Sequence, residues 1–365
     1  MTAAPRQPRR RDVIAAAAVL PFVPADLCAH AVAAPASLGA VAADKGILFG
    51  TACLARHIET DPAYAALLAR ECRVIVAQDD LKWAALRPAP DRFDFTRADA
   101  VAGFCRRIGV PMRGHTLVWH EALPSWCNGR IDVRTAAPLL ATHIATVVGR
   151  YRSRLHSWDV VNEAVDLDDG RADGLRETPW MRALGPSYVA LAFELAAAAD
   201  PSALLVYNDF GICDASPKAR AKRTAVLRLI DRLKAARAPV HALGIQAHLS
   251  TSMTFEGRGM TDFLNDVADR GLRVMITELD VADDTPSLGN QDARVADAYA
   301  AFLDIVLPHR STAACITWGL SDRYSWLRFL ESTPSHGDLR PLPYDDGYRP
   351  KPALNAIQAA FARLP

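Results

Sequence analysis

Eight short apolar runs recur along the chain, each separated from the next by a longer amphipathic stretch, and this alternation restricts the fold more than any other feature. The runs fall at 47–51, 74–78, 111–115, 157–162, 204–208, 242–247, 273–277 and 314–318. Their length and flanks read as strands, whereas helical spacing of apolar residues marks 62–71, 97–108, 134–151, 186–199, 217–236, 260–270, 292–307 and a closing helix at 352–364. Asp61-Pro62, Ser216-Pro217 and Thr261-Asp262 supply cap and first-turn signals for three of them. Strand followed by helix, eight times over, predicts an α/β fold, a (β/α)8 TIM barrel spanning 46–365 as a single domain. A doubly wound open sheet is the alternative. It is disfavoured because Phe49-Gly50-Thr51-Ala52-Cys53, after the first run, lacks the glycine-rich phosphate loop.

The N-terminus reads differently. Arg9-Arg10-Arg11-Asp12 precedes an apolar stretch at 15–23, followed by Ala29-His30-Ala31 and Val32-Ala33-Ala34. A charged start, a short apolar stretch and small-residue cleavage sites predict a signal peptide over 1–34, with an arginine pair that fits twin-arginine export to the periplasm or outside. The apolar stretch is too short to span a bilayer, so no membrane partner is expected after cleavage. A short N-terminal segment, 35–45, then leads into the barrel. The formal net charge of +1 favours neither nucleic acid nor an anionic membrane. Seven cysteines without a Cys-x-x-Cys spacing read as small buried hydrophobes, and no metal site or cofactor is expected.

Two of the apolar runs end in a glutamate: Trp158-Asp159-Val160-Val161-Asn162-Glu163 and Val274-Met275-Ile276-Thr277-Glu278-Leu279-Asp280. A buried charge is costly unless paired or used, so two such ends suggest two acids facing each other across a cleft. In a barrel the active site lies at the carboxyl ends of the strands. Those ends carry Gln78, Asp79, Lys82 and Trp83; His115, Trp119 and His120; Asn208 and Asp209; Gln246 and His248; and Trp318, Asp322 and Trp326. Two carboxyls among planar aromatics and neutral donors suit glycoside hydrolysis, where one acid protonates the leaving oxygen and a second carboxylate works on the other ring face. Metal-dependent hydrolysis is the rival for a barrel rich in His and Asp, but the required ligand spacing is missing.

Gly114-His115-Thr116-Leu117-Val118-Trp119-His120, the Trp158–Glu163 run, Gly244-Ile245-Gln246-Ala247-His248, Ile276-Thr277-Glu278-Leu279-Asp280 and Trp318-Gly319-Leu320-Ser321-Asp322 occur in that order. Together they resemble glycoside hydrolase family ten, the retaining endo-1,4-β-xylanases, over essentially all of 44–365. The resemblance implies that Glu163 is the general acid/base and Glu278 the nucleophile that forms a covalent glycosyl-enzyme. It implies that Asn162 holds the 2-hydroxyl of the sugar being cleaved, that Gln246 partners Glu163, and that His248 partners Glu278 with Asp280 as support. Lys82, His115 and Trp119 match the floor of the glycone side, and Trp318 and Trp326 its aromatic cover. The partner implied is xylan or a xylo-oligosaccharide, taken by a monomer without a cofactor. A nearby anionic Glu278 is expected to raise the pKa of Glu163.

The pattern breaks in places. The family has Glu-Asn where this chain has Gln78-Asp79, and adjacent strand residues face opposite ways, so the exchanged order does not preserve geometry. Ala122 stands where glutamine is frequent and Phe210 where tyrosine is usual. Three readings stay open: neutral substitutions, a distal glycone subsite retuned to short or decorated xylo-oligosaccharides or another β-glycan, and a non-catalytic sugar-binding barrel. The export reading is directly testable. Mass spectrometry of the secreted protein is expected to show a mature N-terminus between Val32 and Asp44.

Overall fold

The structure is a computed structural model that describes residues 1–2, 36–284, 289–329 and 339–365. The expected signal peptide therefore lies, beyond its first two residues, outside the described residues. The strands are β1 (Leu48–Cys53), β2 (Val74–Ala77), β3 (Met112–Val118), β4 (Leu155–Asn162), β5 (Leu204–Asp209), β6 (Ala242–Ile245), β7 (His248–Ser250), β8 (Arg273–Ala282) and β9 (Thr312–Thr317). Because a helix carries the chain back after each barrel strand, neighbours start at the same end and must pair in parallel. They do: β1 through β6 pair in sequence, β6 pairs with β8, β8 with β9, and β9 returns to β1. Eight strands thus close the predicted barrel.

The boundaries differ from expectation where the backbone must turn. The run at 242–247 splits, because Ala247 adopts a left-handed φ of 60°. Past it, β7 stands outside the ring and pairs with the far half of β8, His248 opposite Asp280. That pairing is why β8 continues to Ala282 instead of stopping at 277. The helix expected from 186 begins at Tyr188 and is preceded by a separate short helix, Pro179–Leu184, whose Thr178 side chain caps the Met181 N–H. The segment 35–45 forms the helix Leu38–Ala43, capped by Ser37, with Leu38 and Ala42 fully buried. It packs on β1 and on the last helix, Pro352–Ala362, and Leu38 N–H donates to Glu71 Oε2 at 2.8 Å. Ala36–Pro365 forms one compact unit.

Alternation along the strands divides the core. Phe49, Ile75, Trp158, Leu205, Tyr207 and Leu243 face the helices, and the same outer layer holds most large apolar side chains. A smaller group that includes Ala52, Val74, Val76, Val206, Met275 and Ile316 packs in a second cluster. By the same alternation Arg113, His115, Ser157, Asp159, Asn208 and Thr277 share a polar side of the sheet. They are linked there: Arg113 Nη1 donates to Ser157 Oγ at 3.2 Å, Arg113 pairs with Asp159, and Asp159 accepts His115 Nδ1 at 2.9 Å. All six described cysteines are buried and free, in keeping with their reading as small hydrophobes; Cys28 lies outside the described residues.

Gly114 is required by a close approach. A Cβ there would meet the buried Trp158 ring at 2.1 Å, so β3 and the ring could not both keep their places. Gly114→Ala is expected to destabilise the fold by about 1–3 kcal/mol through overpacking, read from the urea unfolding midpoint.

Candidate active site

Two adjacent residues of a regular strand face opposite ways, yet Asn162 and Glu163 both line one cleft. The backbone supplies the exception. The β4–β5 register shifts between Asp159 and Val161, and Glu163 takes a left-handed φ of 59°. Such a conformation persists in a side-chain-bearing residue only when its surroundings hold it. Here Glu163 N–H donates to Asn208 O at 2.8 Å, and Arg176 Nε donates to Glu163 O at 2.9 Å. Ala247 does the same service on the next wall, so that Gln246 and His248, on either side of it, both reach the cleft.

The cleft is a cavity of about 420 Å³, lined by Lys82, His115, Trp119, Asn162, Glu163, Gln246, His248, Glu278, Trp318 and Trp326. These are ten of the predicted site residues, drawn together from six strand ends. Glu121, Phe210, Gly211 and Met253 complete the lining. Asp280 sits behind, as expected of a support: its Oδ1 lies 2.9 Å from His248 Nδ1, and its Oδ2 accepts from Trp326 Nε1 at 2.7 Å. Gln78 and Asp79 are placed elsewhere. Strand β2 ends at Ala77, so both lie beyond the regular strand, and neither lines the cavity. Gln78 is buried, and Asp79 is exposed and ion-paired with Lys82 at 2.8 Å. Ala122 sits in a left-handed turn, with φ 52°. Trp83 and Trp158 are core residues.

The two glutamates have unlike surroundings. Glu163 accepts from Trp119 Nε1 at 2.9 Å, Gln246 Nε2 at 2.9 Å and Asn162 Nδ2 at 3.0 Å. Its pKa is nevertheless raised, chiefly by burial, with Asp209 and then Glu278 adding to the effect while Gln246 and Trp119 oppose it. Neighbouring Glu278, expected as the cause, is thus a smaller contributor than loss of water. Glu278 accepts from Asn208 Nδ2 at 2.7 Å and lies 3.3 Å from His248 Nε2 and 3.9 Å from His115 Nδ1. Burial alone pushes its carboxyl up; His115, His248 and Lys82 outweigh that and hold it at about 2. His248 shows the reciprocal effect. Burial lowers it, but Asp280 and Glu278 raise it to about 10. The two carboxyls are therefore shifted in opposite directions from the ordinary glutamate value.

Two contributors had no assigned role in the sequence reading. Asn208 was noted only as a strand end, but its Nδ2 serves Glu278 Oε1 and Asn162 Oδ1 (2.8 Å) together, while its Oδ1 accepts Thr277 Oγ1 at 2.7 Å. Asp159, inside the Trp158–Glu163 motif, bonds His115 Nδ1 directly and is itself held by Arg113. Arg113 was the available signal. An arginine buried inside a strand needs a buried acid, and Asp159, four residues before Glu163, supplies it from the neighbouring strand. Among the described residues, no group of three or more His, Cys, Asp or Glu could hold a metal ion.

The chain that brings these two carboxyls to the end of a closed (β/α)8 barrel, walled by tryptophans, matches the family model of Glycosyl hydrolase family 10 over residues 37–360. The chain belongs to that family. It is 34% identical over 313 residues to endo-1,4-beta-xylanase A of Caldicellulosiruptor sp. (strain Rt8B.4), covering 80% of this chain and 43% of that relative. It is 32% identical over 355 residues to endo-1,4-beta-xylanase 1 of Humicola insolens, covering 96% of this chain and 78% of the relative. Native xylanase 10B from Thermotoga maritima superposes with a TM-score of 0.81 at 31% identity, covering 90% of this chain and 98% of the other. Xylanase 10B from Thermotoga petrophila RKU-1, solved with xylobiose, gives the same TM-score and identity over 90% of this chain and 97% of that one.

The charge arrangement of this family 10 site sets a pH window. His248, raised from 6.5 to about 10, contributes stability that is complete below pH 6.5 and lost as pH climbs through 10. Glu278, lowered from 4.5 to about 2, contributes stability present above pH 4.5 and lost as pH falls through 2. Thermal unfolding as a function of pH is expected to show a plateau between 4.5 and 6.5, and His248→Asn to flatten its alkaline slope.

Proposed function

We propose that the protein is a retaining endo-β-1,4-xylanase that cleaves internal xylosidic bonds of xylan through a covalent glycosyl-enzyme. The observation that carries the reading is the unequal state of the two cleft carboxyls, Glu163 raised and Glu278 held at about 2. An anionic Glu278 attacks the anomeric carbon while protonated Glu163 gives its proton to the departing glycosidic oxygen. Bond formation removes the charge of Glu278 and with it one cause of the raised Glu163 pKa. Glu163 then serves as base for the water that releases the sugar.

The supporting contacts follow from the same geometry. Asn208 and His248 orient the Glu278 oxygens, and Gln246 and Trp119 those of Glu163. Trp318 and Trp326 line the cleft as the aromatic cover of the glycone, and Asn162, between Glu163 and Asn208, is assigned to its 2-hydroxyl. The names of the relatives support xylan as the polymer. A retuned distal glycone side is favoured by one feature: Asp79 is spent on Lys82 and Gln78 is buried, so neither is presented to sugar in the cavity. We infer further that the enzyme works as a monomer after export, the reading of its N-terminal residues.

Three outcomes test this. Glu278→Gln is expected to lower kcat on xylan by about 10⁴ or more, with binding kept. Glu163→Gln should be comparably damaging on xylan yet far milder on an aryl β-xyloside whose leaving group needs no proton. Proton NMR of early digests should show the β-anomer first; an α-anomer would overturn the retaining mechanism, and an inert wild type that still binds xylan would overturn catalysis. Separately, Trp119→Phe removes a hydrogen bond that lowers the Glu163 pKa. The alkaline limb of its pH–rate profile is expected to move to higher pH.

A further inference from the structure

Asp209 and Lys222 form a buried ion pair that the reaction derived above does not use. Asp209 ends β5, and Lys222 lies on the helix Pro217–Ala235 that follows it. They are 0% and 5% exposed, and Lys222 Nζ lies 2.8 Å from Asp209 Oδ1. The carboxylate is held at both oxygens. Phe210 N–H donates to Oδ1 at 2.9 Å, and the Tyr207 hydroxyl donates to Oδ2. By strand alternation Asp209 shares the outer side of β5 with Tyr207, while Asn208 between them faces Glu278. A buried ion pair adds little net stability, because the loss of water offsets the attraction. What it does supply is a charge of fixed position.

The backbone sets that position beside Glu163. Asn162 stands opposite Asn208 in the β4–β5 register, so the next residues, Glu163 and Asp209, leave the two strands side by side. Glu163 N–H donates to Asn208 O at 2.8 Å. Gln246, whose side chain serves Glu163, donates its own N–H to Asp209 O at 3.0 Å. Of the two acids that add to burial in raising Glu163, Asp209 acts more strongly than Glu278. Tyr207 and Tyr188 also feel Asp209; both are pushed above the ordinary tyrosine range, chiefly by burial, and stay neutral. Arg176, which holds the Glu163 carbonyl, is paired with Asp166 at 2.7 Å, and His120 in its field is lowered to about 4, chiefly by burial. Lys222 reaches the cleft wall as well: its Nζ lies 3.8 Å from the ring centroid of Phe210, which lines the cleft.

We propose that Asp209 and Lys222 are positioning residues for the reaction, the carboxylate acting on Glu163 as a standing negative charge through both half-reactions and the ammonium fixing it there. This rests on the reading of Glu163 as acid and base. Glu278 gives up its charge when the glycosyl bond forms, so its influence on Glu163 ends midway. Asp209 takes part in no bond and keeps its charge. Glu163 therefore retains affinity for a proton at the moment it must take one from water.

The test is made on the full-length enzyme. Carbon-13 NMR of carboxyl-labelled glutamate, with the Glu163 signal assigned by Glu163→Gln, reads the titration of that carboxyl directly. In Asp209→Asn its midpoint is expected to fall by about one pH unit, and the alkaline limb of kcat/KM on xylan to move to lower pH with it. On an aryl β-xyloside limited by release of the sugar, the acid limb of kcat reports Glu163 as base and should move the same way. Asp209→Asn/Lys222→Met removes both charges together, an exchange that buried ion pairs often tolerate. Its midpoint should lie below that of wild type and above that of the single variant, and it carries the test alone if the single variant does not fold. Activity lowered equally at every pH with an unmoved Glu163 midpoint means a structural role only and overturns the proposal. So does a midpoint that rises, or a double variant that titrates as wild type. Failure of the xylanase reading looks different: wild type turns over neither substrate, while the NMR titration still decides whether Asp209 acts on Glu163.

Discussion

The amide of Asn208 donates at once to Glu278 and to Asn162, and accepts from Thr277, so one side chain ties β4, β5 and β8 together at the mouth of the barrel. Around it two nearby buried carboxyls are shifted in opposite directions. Burial acts on both in the same direction, raising each pKa. The difference comes from what else each one meets. Glu278 faces His115, His248 and Lys82, whereas Glu163 meets neutral donors from Trp119, Gln246 and Asn162. Neutral donors steady an anion but do not supply the field of three basic groups, so the two carboxyls separate.

That field needs support behind it. His248 holds its place between Glu278 and Asp280, and Asp280 is in turn fixed by Trp326. His115 rests on Asp159, which Arg113 neutralises inside the barrel. In each chain the histidine that faces Glu278 rests on a buried acid, Asp280 or Asp159.

Much of this was legible in the sequence. The eight-fold alternation of strand and helix pointed to the barrel, and the two glutamates Glu163 and Glu278 were singled out as the pair that shares the cleft. Lys82, His115, Trp119, Trp318 and Trp326 fall at strand ends, and their convergence follows once the ring closes. What was not legible depended on breaks in regularity. Alternation would turn Asn162 and Glu163 to opposite sides, and only the left-handed backbone at Glu163 brings both into the cleft. The same device at Ala247 split an expected strand and sent β7 along β8. Gln78 and Asp79 were expected at the site because they end a strand-like run; β2 stops one residue earlier, and Lys82 takes the Asp79 carboxylate.

Local sequence determined the elements and the chemical inventory, because helix caps, apolar runs and side-chain type act over a few residues. The (β/α)8 order and the identity of Glu163 and Glu278 are of that kind. Tertiary structure alone decided which carboxyl is held as an anion and which is raised, since a pKa depends on burial and on charges brought from distant strands. It also decided that Arg113, one arginine among many in the sequence, lies fully buried in the barrel against Asp159, which holds His115.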